Sequence, residues 1–322
     1  MKRVLVTEPI HPNGMAILEA CPDIEIVRID DTDPSTLIKA VKDVEGIVVR
    51  TAIFTTEILQ AATKLEVISR HGVGCDNIDV AHLSARGVPV AIASGANARS
   101  VAEHTLGFMI STARELTAQN DLVKSGRWAD RNNFRAVDLH GSKIVILGFG
   151  RVGRKVAPLC KAFGMDVVVV DVALDHDLAK SMGCRGVEDF RPELHDADFL
   201  TLHVPLDDST HHIIGKAELA QMKAGAILIN CARGGVVDDD ALFESLESGH
   251  LRAAALDVMH TEPPRPDHPL LHRDDVILTP HNGAGAMSAI IGMAEMAAQN
   301  VVDQFAGKLR DDCTFNLRDL KR

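Results

Sequence analysis

The strongest constraint on this chain is a β-branched run that leads straight into spaced glycines. Lys143-Ile144-Val145-Ile146-Leu147 is followed by Gly148-Phe149-Gly150-Arg151-Val152-Gly153, and Val152, Val156, Leu159, Cys160 and Phe163 then recur at helical spacing. In a strand–turn–helix of this kind the first glycine makes the tight turn and the second lets a pyrophosphate approach the backbone. The third lets helix and strand pack closely. The helix start adds unpaired N–H groups and partial positive charge. A second run, Asp166-Val167-Val168-Val169-Val170, ends in Asp171, 23 residues beyond Gly148. That is close to the ~20-residue spacing at which an acid meets ribose hydroxyls. The pattern predicts a dinucleotide-binding turn; the bland alternative is an ordinary strand–helix connection. Pro158 breaks a local rule, and a kink or early end of the helix is expected there.

The turn comes late in the chain. Residues 4–6, 24–27, 46–49, 67–69 and 88–92 read as short strands, with helical segments at 13–20, 36–41, 56–62 and 80–86 between them. Such alternation makes a mostly parallel α/β sheet covered on both faces. The first hundred residues therefore form a domain of their own. A helix is expected from Ser100, where Ser100-Val101-Ala102-Glu103 has the form of a capping box. Its apolar stripe is Val101, Thr105, Met109, Ala113 and Leu116, which suits a hinge, a core helix or a subunit contact. Gly126, Trp128, Arg127, Arg131 and Arg135 mark an irregular stretch. Strands follow at 199–203, 226–230, 253–256 and 276–279. A terminal helix carries Met287, Ile290, Ile291, Ala294, Ala298, Val301, Val302 and Phe305 on one face, with Gly307 as its C-terminal cap.

Composition narrows the class of function. A formal charge of −11 disfavours nucleic acid and anionic membrane surfaces as partners. No apolar run approaches the ~20 residues that span a bilayer. Met1–Val6 enters a strand pattern at once, which is expected of a chain without a signal peptide. The six cysteines (21, 75, 160, 184, 231 and 313) are scattered without a CxxC, as expected of reduced thiols in the cytoplasm. No metal site is expected, since His211-His212 lies in a polar loop without further ligands.

Ligands of open parallel sheets lie beyond the carboxyl ends of the strands. After 226–230 come Cys231-Ala232-Arg233-Gly234-Gly235, after 253–256 comes Asp257, and after Val276–Pro280 comes His281. Glu262 follows in the loop after Asp257. A cation, carboxylates and an imidazole thus share the edge of the glycine turn. Hydride transfer at a hydroxyl-bearing carbon needs these types. Histidine exchanges the hydroxyl proton, a carboxylate stabilises and orients the ring, and an arginine fork grips a substrate carboxylate. Singly, each residue also has a structural reading, as ion pair, solvated acid or satisfied loop histidine.

These stretches resemble the D-isomer-specific 2-hydroxyacid dehydrogenases over nearly the whole chain. The likeness rests on Arg70–Asp79, Asn97–Thr105, Leu147–Gly153, Leu202–Leu206, Asn230–Gly235, Leu256–Val258, Glu262-Pro263 and Pro280-His281. It implies two Rossmann-like or flavodoxin-like parallel-sheet domains. The NAD-binding domain, 99–284, would be inserted into a substrate domain of 1–98 plus 285–322. The resemblance implies Arg233, Glu262 and His281 as the catalytic set, with Arg233 on the substrate carboxylate and Glu262 as partner of His281. It implies backbone contacts of Arg151 and Val152 to the pyrophosphate, Asp171 on the ribose, and Asp257 on the nicotinamide amide. Val73, Thr105, Gly148, Gly150, Gly153, His203, Val204, Pro205, Thr210, Cys231, Ala232, Arg233, His281, Gly283 and Ala284 would complete the cofactor surroundings. Val73 and Gly74 match the loop that receives the substrate carboxylate. With no basic residue close behind Asp171, NAD is expected rather than NADP.

Within the family the chain is most similar to the phosphoglycerate dehydrogenase branch. Arg50-Thr51-Ala52 and Arg70 match positions of phosphate-facing cations there, and Arg131 or Arg135 matches a cation lent across a homodimer interface. Two departures leave glyoxylate, hydroxypyruvate or another 2-keto acid open as substrate. The sequence runs to Arg322 and is expected to lack the regulatory domain many such enzymes carry, and Asn282-Gly283-Ala284-Gly285-Ala286 follows the histidine. An NADH-sensing, corepressor-like binding protein is the alternative of another class.

Overall fold

The β-branched runs form two separate parallel sheets. The computed structural model describes residues 1–29 and 31–320. It divides into two units, Met1–Asn97 with Gly285–Arg322, and Ala98–Ala284. In the first, β1 (Lys2–Val6), α1 (Pro12–Glu19), β2 (Ile24–Arg28), α2 (Pro34–Ala40), β3 (Gly46–Val49), α3 (Thr56–Ala61), β4 (Val67–Arg70), α4 (Val80–Ala85) and β5 (Val90–Ile92) alternate. The sheet order is β2-β1-β3-β4-β5, a flavodoxin-like winding. Helix starts carry their own signals. Pro12 opens α1 where its missing N–H costs nothing, and Asp79 caps α4 by accepting from the His82 amide at 2.9 Å.

The second unit contains α5 (Ala98–Ala113), α6 (Leu116–Lys124), β6 (Lys143–Leu147), α7 (Gly153–Ala162), β7 (Asp166–Val170), α8 (His176–Ser181) and β8 (Arg185–Val187). It continues with β9 (Phe199–Leu202), α9 (Lys216–Gln221), β10 (Ile227–Asn230), α10 (Asp239–Glu247), β11 (Ala253–Leu256) and β12 (Val276–Leu278). The order β12-β11-β10-β9-β6-β7-β8 reverses direction at β6. Its two faces take alternate residues: Val145, Leu147, Val168 and Val170 into one core, Ile144, Ile146, Val167 and Val169 into the other. Burial on both faces explains why these strands read as unbroken apolar runs.

Three local expectations change, and one strand is added. The helix begins at Ala98, so Ser100 lies inside it and no capping box forms. The Ser100 hydroxyl instead donates to the Gly283 carbonyl at 2.7 Å, and Glu103 pairs with Arg99 at 2.8 Å. The stripe ends at Ala113, because Glu115 takes a left-handed φ of 52° and Leu116 starts a new helix. The Glu115 carboxylate is held there by Arg252 and by the Arg135 amide. Pro158 does not end α7, which runs to Ala162. Pro158 is exposed, so the Arg154 carbonyl that loses its helical donor lies on the solvent side. Finally, β8 is a three-residue strand containing glycine, too short to show a period.

The chain returns to the first unit with α11 (Met287–Phe305) and α12 (Leu317–Leu320). Ala297, Ala298 and Val301 bury against Val4, Val6, Val48 and Val67. A Cβ on Gly14 of α1 would stand 2.5 Å from the Ala294 carbonyl oxygen, so only glycine allows α1 to lie this close to α11. The long helix ends at Ala306, followed by Gly307 at φ 66°.

Candidate active site

Strands β6 and β9 lie side by side at the point where the winding reverses. Ligands of doubly wound sheets bind at that switch point, and the glycine turn follows β6. Gly148 has φ 100°, and a Cβ there would lie 2.6 Å from the His203 carbonyl. A Cβ on Gly153 would lie 2.0 Å from the Gly148 oxygen, whereas nothing lies within 4 Å of one on Gly150. Two glycines are thus demanded by the protein's own packing and the third faces open space. No side chain caps the start of α7; its Arg154 and Lys155 amides bond the Gly150 and Val152 carbonyls at 3.1 and 2.8 Å, and the positive end of the helix dipole at the turn favours a ligand anion. The Asp171 carboxylate accepts from the Phe149 amide at 2.8 Å and the Ala173 amide at 3.0 Å. That fixes it beside the turn with acceptor capacity remaining. These features fit a dinucleotide.

The remaining loops at this edge differ in what they present. Thr210 donates to the Pro205 carbonyl at 2.7 Å and so closes the 205–210 loop beside Val204. The ring of His203 turns inward against the Thr201 hydroxyl at 3.0 Å, with its Nδ1 buried and unpartnered. Burial pushes its pKa down to about 3, so the ring is neutral and only backbone is offered to a cofactor. Thr105 is 0% exposed, its hydroxyl on the Val101 carbonyl at 2.8 Å. It sits behind Cys231, whose thiol burial pushes up to about 12 against the Thr105 hydrogen bond. The structure therefore gives Thr105 no surface for a cofactor, because it belongs to the buried stripe of α5.

The arginine and the carboxylate–imidazole pair come from adjoining loops. Asn230, the last residue of β10, accepts from the Ala232 amide at 3.0 Å and donates to the Arg233 carbonyl at 2.8 Å, shaping the turn that carries Arg233. A Cβ on Gly234 would lie 2.0 Å from the Met259 carbonyl carbon, so this turn packs directly on the Glu262 loop. Glu262 Oε1 accepts from the Met259 amide at 3.1 Å, and Oε2 lies 2.7 Å from His281 Nδ1. Burial works to raise the Glu262 pKa, but the His281 hydrogen bond, the Met259 amide and the charge of Arg233 outweigh it. The carboxylate thus sits below its ordinary 4.5. A carboxylate can only accept, so Nδ1 carries the proton of this bond and Nε2 is left to exchange one. His281 itself has φ 51°, a strained backbone for a residue with a Cβ. A cavity of about 450 Å³, walled in part by Met259, Pro264, Leu271 and Leu278, opens beside the pair.

Asp257 faces inward rather than outward. It is 3% exposed, and its carboxylate accepts from the Thr279 hydroxyl at 2.5 Å and the amides of Asn282 and Gly283 at 2.8 and 2.7 Å. A nicotinamide amide would have to share those oxygens with the His281 loop.

In the first unit, Val49 and Arg70 pair across β3 and β4, so Arg50 and Arg70 emerge side by side at the carboxyl edge of that sheet. The Arg50 guanidinium donates to the Pro9 carbonyl at 3.2 Å. Arg70 donates to the His71 carbonyl at 2.6 Å and to Asn77 at 3.3 Å, beside the loop of Val73 and Gly74. Sequence reading missed Glu8. Its carboxylate accepts from the amides of Arg50, Thr51 and Ala52 at 2.9, 2.5 and 2.9 Å. It also missed His104 and Thr279. All three act over long sequence separations, which no local pattern signals. Among the described residues no His, Cys, Asp and Glu group is placed to hold a metal ion.

The second unit is a doubly wound dinucleotide-binding domain with a carboxylate–imidazole pair and an arginine at its ligand edge. Residues 106–283 match the D-isomer specific 2-hydroxyacid dehydrogenase family, NAD binding domain. The chain belongs to that family, and this unit is its NAD-binding domain. It is 40% identical to the D-3-phosphoglycerate dehydrogenase of Methanocaldococcus jannaschii over 97% of this chain, which spans 59% of that protein. It is 36% identical to the hydroxypyruvate reductase of Thermotoga maritima, over 89% of this chain and 93% of that one. The solved D-lactate dehydrogenase of Aquifex aeolicus, complexed with NAD and lactic acid, matches at TM-score 0.83 and 29% identity, over 95% of this chain and 96% of the other.

Proposed function

We propose that this chain is an NAD-dependent dehydrogenase that interconverts a D-2-hydroxyacid and its 2-keto acid. The observation that carries the reading is the 2.7 Å pair of Glu262 and His281 at the ligand edge of an NAD-binding sheet. When bound, NAD supplies or accepts the hydride. The protein's own part is to move a proton and hold the acid. His281 Nε2 gives a proton to the keto oxygen in reduction and takes it back in oxidation, while Glu262 keeps Nδ1–H aimed and offsets the ring's charge. Arg233 grips the substrate carboxylate. Turnover of a 2-keto acid panel with NADH tests this. No reduction of any acid by pure protein overturns it, and a retained peptide partner with negligible turnover would point to a corepressor-like protein.

The finer substrate is 3-phosphohydroxypyruvate and 3-phosphoglycerate, read from Arg50 and Arg70 at adjoining strand ends. A second reading, reduction of unphosphorylated glyoxylate or hydroxypyruvate, is favoured by Glu8, which already fills the 50–52 amides with a carboxylate of the protein. Comparing kcat/KM for 3-phosphohydroxypyruvate and hydroxypyruvate decides between them. No preference for the phosphorylated acid rejects the first.

We also propose a cytoplasmic homodimer formed through α5 and the 120–140 segment. Leu116, Val123, Trp128 and Val137 are large apolar residues exposed there. The six cysteines are free thiols, and among the described residues no helix is long and apolar enough to cross a membrane. Sedimentation of the wild type against Trp128→Glu tests the dimer.

A further inference from the structure

Helix α5 reaches the loop that carries His281 from one face. Ser100 and His104 are one helical turn apart, so their side chains lie on the same side. The Ser100 hydroxyl donates to the Gly283 carbonyl at 2.7 Å, at the far end of that loop. His104 Nε2 lies 3.0 Å from the Thr279 hydroxyl, at its near end. Between these points the loop is gathered onto Asp257. The His281 amide donates to the Asp257 carbonyl at 2.8 Å, and the next two amides donate to its carboxylate.

The hydrogen-bond chain has a direction. The Asp257 carboxylate accepts from the Asn282 and Gly283 amides and from the Thr279 hydroxyl, whose proton points to Oδ1 at 2.5 Å. Only lone pairs of that hydroxyl remain for His104, so Nε2 carries a proton and donates. The sequence of donors is His104 Nε2–H, Thr279 Oγ1–H, Asp257 Oδ1. His104 Nε2 also lies 3.6 Å from Asp257 Oδ1, and its ring stands edge-on to Phe108 at 4.4 Å between centroids. No role in holding NAD or substrate uses Ser100, His104 or Thr279.

We propose that Ser100 and His104 are positioning residues for His281. Acting through Gly283 and through Thr279–Asp257, they clamp both ends of its loop and hold its left-handed backbone. The inference rests on the reading of His281 as the acid/base, but the clamp itself can be observed without turnover. An imidazole donor at 104 keeps the Thr279 proton on Asp257, and thereby keeps the carboxylate fixed to the Asn282 and Gly283 amides beside His281. An apolar side chain there releases the hydroxyl to rotate.

The test compares His104→Phe, His104→Gln, Thr279→Val and the His104→Phe/Thr279→Val double variant. Hydrogen exchange of the 281–283 amides is read in the protein alone. His104→Phe and Thr279→Val are expected to speed it about tenfold, and His104→Gln, which keeps an N–H donor, to restore it within about threefold. Because the two residues act in series, the double variant should exchange no faster than Thr279→Val. In turnover, the same variants should lower kcat about fivefold to twentyfold while the KM for NADH stays within about twofold. Unchanged exchange in His104→Phe, or simple additivity in the double variant, overturns the clamp. Wild-type protein that reduces no 2-keto acid, with exchange responding as described, rejects the proposed reaction and leaves the clamp standing.

Discussion

Replacing Gly150 and Gly153 by alanine, one at a time, separates two demands that a single glycine motif combines. At Gly153 a Cβ would sit 2.0 Å from the Gly148 carbonyl oxygen and 3.4 Å from Ile146 Cγ2. Nonbonded carbon contacts become favourable near ~3.5–4 Å, so the start of α7 must retreat from the turn by more than about an ångström. Glycine-to-alanine within a helix otherwise stabilises by about 1 kcal/mol. Overpacking of this kind costs about 1–3 kcal/mol or more, and sterics should win. With about 2–4 °C of Tm per kcal/mol for a domain of this size, Gly153→Ala is expected to melt several degrees below the wild type. At Gly150 no heavy atom lies within 4 Å of the added Cβ, so its stability should stay within about 0.5 kcal/mol of the wild type. The new methyl instead occupies the approach to the amides at the start of α7. Losing a hydrogen bond to a charged group costs about 1.5–3 kcal/mol, which weakens NADH binding about tenfold to hundredfold. NADH fluorescence titration and thermal melts of both variants are the assays. Gly153→Ala melting at or above the wild type would refute the steric reasoning. Gly150→Ala binding NADH like the wild type would refute the assignment of the turn.

Other outcomes follow from the same geometry. Glu262→Gln keeps shape but removes the charge 2.7 Å from His281 Nδ1; kcat should fall about a hundredfold with NADH affinity unchanged, and a fall in affinity alone would contradict the role. His281→Ala should behave likewise, an equal loss of turnover and binding pointing to a structural histidine. For Glu8, burial acts to raise the pKa, yet hydrogen bonds from Thr7, Thr51 and the 50–51 amides bring it below 4.5. Its stabilisation is therefore complete above the unfolded value and is lost as pH falls through the folded one. Wild-type Tm should drop more steeply than that of Glu8→Gln below about pH 4.5, and parallel curves would refute this. Burial pushes the thiols of Cys160 and Cys231 up to about 12. Neither should react quickly with Ellman's reagent in the native protein at neutral pH, and rapid labelling of Cys231 would show its loop to be open.

What the sequence made legible was whatever rests on short-range pattern. Strands buried on both faces appear as unbroken Val/Ile runs, so β1, β6, β7 and β10 could be placed within a residue or two. The edge strand β8 could not, since Arg185-Gly186-Val187 has neither length nor alternation. Ser100-Val101-Ala102-Glu103 has the letters of a capping box, but the helix starts two residues earlier and Ser100 finds Gly283 instead. A box is only one way to satisfy a serine, and a carbonyl 183 positions away was the better partner. Pro158 illustrates the reverse. Its local cost is real, and packing of Val156, Ala157 and Cys160 into the core carries the helix past it.

The candidate site divides along the same line. Residue types at strand ends are visible, because a parallel sheet puts its ligands there: Asp257 follows its strand directly, and Arg233 and His281 lie three residues beyond theirs. Their conformations are not visible. Nothing within Pro280-His281-Asn282-Gly283 requires a left-handed histidine, which costs roughly 1–2 kcal/mol for a residue with a Cβ. That cost is offset by amides gathered onto Asp257, more than twenty positions upstream, and by a helix face at Ser100 and His104 further still. Glu8 does the same for Arg50, fastening three consecutive amides from 42 to 44 positions away. In both loops a carboxylate collects neighbouring N–H groups, and the side chain proposed to meet the ligand is aimed by that bundle. A motif can name the aimed residue; only the fold names the residue that aims it.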